Sequence, residues 1–586
     1  MTTINSSYTA QEIKAISVTD IKALASNEIS LISPEAMAGL TAGQLQALST
    51  AVISQISTDQ LSYLSAQQLG TLKPGQVQQF TTGQIASLTT AQLNGLPTIA
   101  INGLSTSQIS GLQPDQISGL AKPWLGALAP TQVTSLSSAQ ISAMTTAQLM
   151  WLTPVQIKAI DTQDLQALSD EQIRSLSGKQ VAELTTSQVS SLFALQNLPF
   201  TDVQLQSLST DAISTLSTSQ LTKLEDTQVK SLTLTQIKAL NAYQLNNLSE
   251  SQIASIDTGD LAAISASNIA QLSSTQISRL TTSQVYALTN AQVKALTTTQ
   301  ITSLSEEQIK SLEPADIAVM TSAQVRSLLP TQLAQMTSTQ IQAFNKNVIA
   351  ALSTEQISNL ESSQLKALTT DQIKVLTSEQ LSKLSNVQLL STASIAKLSE
   401  TQLKGFTSDQ IGALTTAQFQ TLTAKQLNTL NSTQLEGIEI EDMASIASNV
   451  ISALSSSALS AMSSTQIAAL STNQISALKA AQISSLGSTQ IIGIATNDIA
   501  ALSTAQVKAL TSAQMEALTS AQVGSLTVNQ FNALSASQLQ AIDSADLAAI
   551  STATLASIAT VQISQLTTNQ IGALTSQQMS ALGLTG

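Results

Sequence analysis

The chain has 586 residues, with no cysteine, no histidine, 36 acidic against 23 basic side chains and a formal net charge of −13. That composition excludes a disulfide framework, a Cys/His zinc site, a histidine-based triad and a thiol nucleophile. The acidic balance argues against a phosphate-backbone partner, which needs clustered Lys and Arg, so no nucleic acid is expected.

In chain order, Met1–Ser17 has neither a basic start nor an apolar stretch, so no cleavable signal peptide is expected. No apolar run approaches the roughly 18 residues of a membrane span, so no transmembrane segment is expected. An eight-residue head, 1–8, leads into a repeat with the pattern [Ser/Thr]-x-x-Gln-[Ile/Leu/Val]-x-[Ala/Ser]-Leu. Residues 9–384 hold 47 octads without an insertion; 385–390 form a shortened unit; 391–582 hold 24 more octads; 583–586 are a tail. No composition shift marks a domain boundary. Apolar residues make up 42% of the chain and recur strictly, unlike those of a disordered tract.

The octad predicts a helix. Its apolar fifth and eighth slots lie three apart, whereas a strand wants alternation with period two. Ser/Thr-x-x-Gln ahead of an apolar pair is the capping-box signature, in which the hydroxyl accepts from the amide three residues on and Gln reaches back to the cap amide. Seven of the ten prolines, Pro34, Pro74, Pro114, Pro130, Pro154, Pro314 and Pro330, fall in the second slot. That slot is the first helical position, where proline is best tolerated. Acids such as Glu306 and Asp371 come early in their octads and lysines such as Lys230 and Lys310 come late, in the sense of the helix dipole.

Each octad is therefore one capped helix of under two turns, too short to stand alone. The predicted fold is all-α: a solenoid or superhelix of tandem eight-residue repeats. The fifth and eighth slots form the core, and the second, third and sixth face water. The small seventh slot, which holds glycines such as Gly95, Gly103, Gly111 and Gly119, implies close approach of another backbone.

Seven octads carry Asp in place of Gln: Asp20, Asp164, Asp260, Asp316, Asp442, Asp498 and Asp546. Once the two residues missing at 385–390 are restored, five of the seven share a 48-residue phase. This predicts a superhelical turn of about six octads. At about 15 Å per octad the path is about 90 Å and the radius about 14 Å, so such a coil flattens or leaves a lumen.

The acidic pairs Asp161/Asp164, Asp257/Asp260, Asp543/Asp546 and Glu439/Asp442 are spaced as half a calcium site, or as an acidic cap plus an acid in the first helical turn. The second reading is the stronger, because EF-hand spacing is absent; calcium is the one cofactor that the spacing suggests. Trp124 and Trp151 lie in a less regular stretch, 121–200, which reads as a packing irregularity or a partner contact. No phosphate loop, G-x-S-x-G or H-E-x-x-H occurs, and Ser and Thr stand at cap positions, so neither an enzyme nor a small-molecule substrate is expected.

Residues 152–160, Leu-Thr-Pro-Val-Gln-Ile-Lys-Ala-Ile, resemble the opening helix of a TAL-effector repeat, but the base-reading pair and the basic residues of that family are missing. Ice-nucleation proteins also carry octapeptides, but theirs are rich in Gly and Tyr. In composition the whole repeat resembles the Ser/Thr/Ala/Gln-rich regions of large bacterial surface or secreted proteins of the adhesin, S-layer and matrix kinds. That resemblance implies a structural protein forming a rod, filament or layer, self-associating into a homo-oligomer, and extracellular by a signal-peptide-independent route. The alternatives are a cytoplasmic solenoid scaffold for a protein partner, or the stalk of an adhesin.

Overall fold

The computed structural model describes residues 7–195 and 200–584, and among them all regular structure is helical. The chain divides into two units, Met1–Ala295 and Leu296–Gly586. Each is a tandem-repeat α-solenoid built in the same way.

The α-helices are four to six residues long, with one of eight, Thr186–Phe193. They start at the second slot, as the capping chemistry predicts. Thr146–Trp151 is representative. The Thr145 hydroxyl accepts from the Gln148 N–H at 3.2 Å, and Gln148 Oε1 accepts from the Thr145 N–H at 2.9 Å. Two extended residues, Leu152 (φ −63°, ψ 140°) and Thr153 (φ −71°, ψ 156°), then turn the chain into the next helix. Pro74, Pro114, Pro130, Pro154, Pro314 and Pro330 each open a helix, where their missing N–H leaves no bond unmade. Pro34 instead precedes a 3-10 turn, Glu35–Gly39.

Fifth-slot and eighth-slot side chains such as Leu149 and Leu152 are buried along most of both units, and seventh-slot glycines such as Gly95 stand close against another octad. A Cβ built on Gly95 would stand 2.4 Å from the carbonyl oxygen of Ala66, three octads earlier.

The size of the turn differs from the six-octad expectation. Gln148 bonds to residues 28 to 31 positions earlier, and Gln46 bonds to the carbonyl 25 positions later. One turn therefore takes three to four octads. At about 15 Å per octad that is a path of about 53 Å and a radius of about 8 Å, close to the 8–10 Å spacing of packed helices. Two apolar side chains per octad fill such a coil, whereas the larger turn would have left them facing a void. Nothing in the structure explains the 48-residue phase of the Asp octads.

The shortened unit keeps its place in the stack. It forms a 3-10 turn, Val387–Leu389, whose Val387 and Leu390 are buried like any fifth and eighth slot. Register is held in octads and not in residues: Gln402 and Gln410, which reach across it, bond 29 and 26 positions back where other glutamines bond 31 and 28.

Candidate functional site: a glutamine ladder between turns

The fourth slot does more than cap. Gln148 is 2% exposed, and its side-chain amide is spent completely. Oε1 takes the cap N–H, while Nε2 donates to the carbonyl oxygens of Ile117 (2.8 Å) and Leu120 (2.9 Å), the fifth and eighth slots of the octad four earlier. The same pair of donations recurs in both units, as for Gln44 onto Ile13 and Ile16, and for Gln522 onto Ile491 and Ile494. The eighth-slot carbonyl is a helix-end group with no backbone partner in its own octad, while the fifth-slot carbonyl also accepts from the eighth-slot N–H, as Ile117 does from Leu120 at 3.1 Å. Each glutamine therefore satisfies one helix's N-terminus and another helix's C-terminus, and ties adjacent turns together.

This second role was not read from the sequence, although two signals carry it. A capping box accepts Glu as readily as Gln, yet beyond Leu40 the fourth slot is never Glu and is Gln in most octads; of the two, only the side-chain amide both accepts and donates. The glutamine half of the box also survives where the hydroxyl half is lost. Gln76, Gln132 and Gln490 accept from the backbone N–H of Lys73, Ala129 and Gly487 at 2.7–2.8 Å.

The acidic octads are wired differently. Asp164 and Asp498 accept from the hydroxyls of Ser138 and Thr472, second-slot residues three octads earlier, each at 2.6 Å; Asp546 accepts likewise from Ser520. Their partners in the candidate calcium pairs look elsewhere: Asp161 caps through the Gln163 N–H at 2.9 Å, and Asp543 through the Ala545 N–H at 2.8 Å. Asp257 is the N-cap residue of Thr258–Ala263, and Asp260 lies in its first turn, where burial, and then the Asp257 charge, raise its pKa. Glu439 stands at the N-cap of Ile440–Ser445. Asp442 is raised by burial, against the lowering effect of the Thr416 hydroxyl and with the charges of Glu439 and Glu441. Asp316 is buried, and its pKa is pushed up to about 6 by desolvation, which outweighs the bond from the Glu313 N–H. Glu12, in the first turn, is lowered by the N–H and hydroxyl of Thr9. Among the described residues, no group of three or more acidic side chains gathers where it could hold a metal ion.

Trp124 replaces Gln in the fourth slot. It is 2% exposed, and its Nε1 has no hydrogen-bond partner among the described residues. Trp151, a seventh-slot residue, is half-buried. Of the irregular segment 193–200, residues 196–199 lie outside the described residues. Phe193 and Phe200 are buried with ring centroids 5.6 Å apart. Lys223 closes the long helix that ends there by donating to the carbonyls of Phe193 (3.1 Å), Ala194 (3.3 Å) and Leu195 (2.8 Å).

On the outside, second, third and sixth slots are mostly Ser, Thr, Asn, Gln and Ala. A few large apolar side chains stand among them, including Ile99 (74% exposed), Tyr243 (71%) and Val203 (67%). No helix among the described residues is long and apolar enough to cross a membrane.

No curated protein matches the chain. Similar solved structures include importin beta in an ammonium sulfate condition (11% identity, 97% of each chain covered, TM-score 0.17) and importin13 in its cytosolic state (10% identity, 91% of this chain and 72% of that one, TM-score 0.12). A third is a deletion form of APUM23 (12% identity, 74% and 83% covered, TM-score 0.12). At these TM-scores the likenesses carry no argument. The family comparison is of a different order. The ALTTAQ repeat matches residues 85–122, 157–193, 253–290, 309–346, 349–386, 387–416, 435–472, 491–528 and 539–576. Its namesake string stands verbatim at residues 413–418, running from the seventh slot of one octad to the ladder glutamine of the next. With more than half of its length matched, the chain belongs to the ALTTAQ repeat family.

Proposed function

We propose that the chain is a non-catalytic solenoid scaffold that holds a protein partner on its outer surface. The observation that carries this reading is the division of labour within the octad. The fourth, fifth, seventh and eighth slots are taken up in holding turns together, which leaves the second, third and sixth on the outer face. Exposed Ile99, Val203 and Tyr243 on a surface of low charge are suited to apolar anchoring of a protein. The net charge of −13 is unsuited to nucleic acid. The test is cross-linking of the full chain in cells of its source, beside a variant with Ile99, Val203 and Tyr243 changed to Ser. One stoichiometric partner, lost from the variant, supports the proposal; a partner set indifferent to the substitutions removes it.

A second reading is favoured by the uniformity of the ladder, which gives length at constant stability per turn. On it the chain is an extracellular or cell-surface rod, filament or layer, or the stalk of an adhesin. Cell fractionation with negative-stain microscopy separates the two. Ordered assemblies outside the cell support this one, and a protein confined to the cytoplasm sinks it.

A further inference from the structure

We infer that the second unit contains a joint between residues 407–430 and 439–462, where adjacent turns part more readily than the turns on either side. Beyond Leu40 the ladder is interrupted singly or in pairs at several places, but only here do three successive octads lack its glutamine, with Asp442, Val450 and Ala458 in the fourth slot. Three octads are close to a full turn. No fourth-slot amide reaches the carbonyls of Leu414, Leu422 and Leu430, eighth-slot groups of the kind that a glutamine satisfies elsewhere. The same three octads are fully tied to the turn that follows. Gln474 donates to Met443 and Ile446, Gln482 to Ile451 and Leu454, and Gln490 to Leu459 and Met462, all at 2.6–3.0 Å. Residues 439–462 are therefore fastened by six ladder bonds on one side and by none on the other. Apolar packing is continuous across the joint, since Met443, Ile451 and Leu459 are buried, so the stack is formed there but weakly fastened. The helix ends are weak as well. Glu439 and Ala447 make no side-chain cap bond, and none of the helices Ile440–Ser445, Ser448–Ile451 and Ser456–Ser460 has a capping box. Glu436, Glu439, Glu441 and Asp442 put four acids into seven residues, and buried Asp442 feels the like charges of Glu439 and Glu441. Two side-chain ties cross the joint. The Thr416 hydroxyl bonds to Asp442, and Asn428 acts as a latch: its Nδ2 donates to the Ala453 carbonyl at 3.2 Å, and its Oδ1 accepts from the Ser455 N–H at 2.7 Å. The latch thus takes over the cap N–H that a glutamine at position 458 would have held.

The test is native-state hydrogen exchange on the full chain, read as protection factors at fifth-slot and eighth-slot amides. Those of Met443, Ile446, Ile451, Leu454, Leu459 and Met462 are expected to be at least about ten-fold less protected than the same slots of 471–494, because even weak net hydrogen bonds sum to that over six. The triple variant D442Q/V450Q/A458Q is expected to close that gap. Asn428→Ala, which adds nothing to the core, is expected to widen it several-fold and to leave 471–494 unchanged. Equal protection of the two stretches in the unsubstituted chain overturns the inference, as does a folded triple variant with the gap intact. If the triple variant does not fold, Asn428→Ala decides: a gap that does not widen removes the joint.

Discussion

Replacing Gln148 by Glu separates the two jobs of the fourth slot. The carboxylate still accepts from the Thr145 N–H, so the cap survives. The two donations to Ile117 and Leu120 vanish, and an oxygen is set against two carbonyl oxygens where Nε2 lay at 2.8 and 2.9 Å. Two lost hydrogen bonds cost about 1–3 kcal/mol together. Holding the new acid ionised in a site 2% exposed adds a desolvation penalty, for a total of about 3–5 kcal/mol at pH 7. The folded-state pKa of this Glu is raised above its unfolded value of about 4.3. The charge penalty is therefore absent below that value, sets in as pH rises, and is complete above the folded pKa. At about pH 4 the protonated acid donates to one carbonyl, and the cost falls to about 1–2 kcal/mol. Gln148→Met, which removes both jobs and adds no charge, is the control; its cost is about 2–3 kcal/mol and independent of pH. Repeat arrays open locally, so the assay is native-state hydrogen exchange at the amides of residues 113–152, supported by urea melts at both pH values. A Glu variant no weaker than Met at pH 7, or one whose cost does not change with pH, would refute the donor role of the ladder.

Two further outcomes follow from the same geometry. Asp316, raised to about 6 by burial, binds its proton more tightly folded than unfolded, so it lowers stability as pH climbs from about 4 to 6 and leaves a deficit above that. Asp316→Asn should raise stability at pH 7 by up to about 3 kcal/mol and flatten that part of the stability–pH curve, as read from urea midpoints at pH 4, 6 and 7. Gly95→Ala forces a methyl to 2.4 Å from the Ala66 carbonyl oxygen and should cost about 1–3 kcal/mol, seen as faster amide exchange in both octads; unchanged exchange would show that the turns separate freely there.

What could be read from the octad is what one octad decides by itself. The Thr145–Gln148 box, the prolines at the first helical position, the burial of Leu149 and Leu152, and the tight seventh slot at Gly95 all follow from helix ends and side-chain spacing within eight residues. The turn of three to four octads, the downward donation of Gln148 and the burial of Trp124 were decided by tertiary packing. The reason is that a sequence repeating every eight residues is compatible with any number of octads per turn, since every octad offers its neighbours the same face. Core volume chooses the number, through the radius that two apolar side chains per octad can fill.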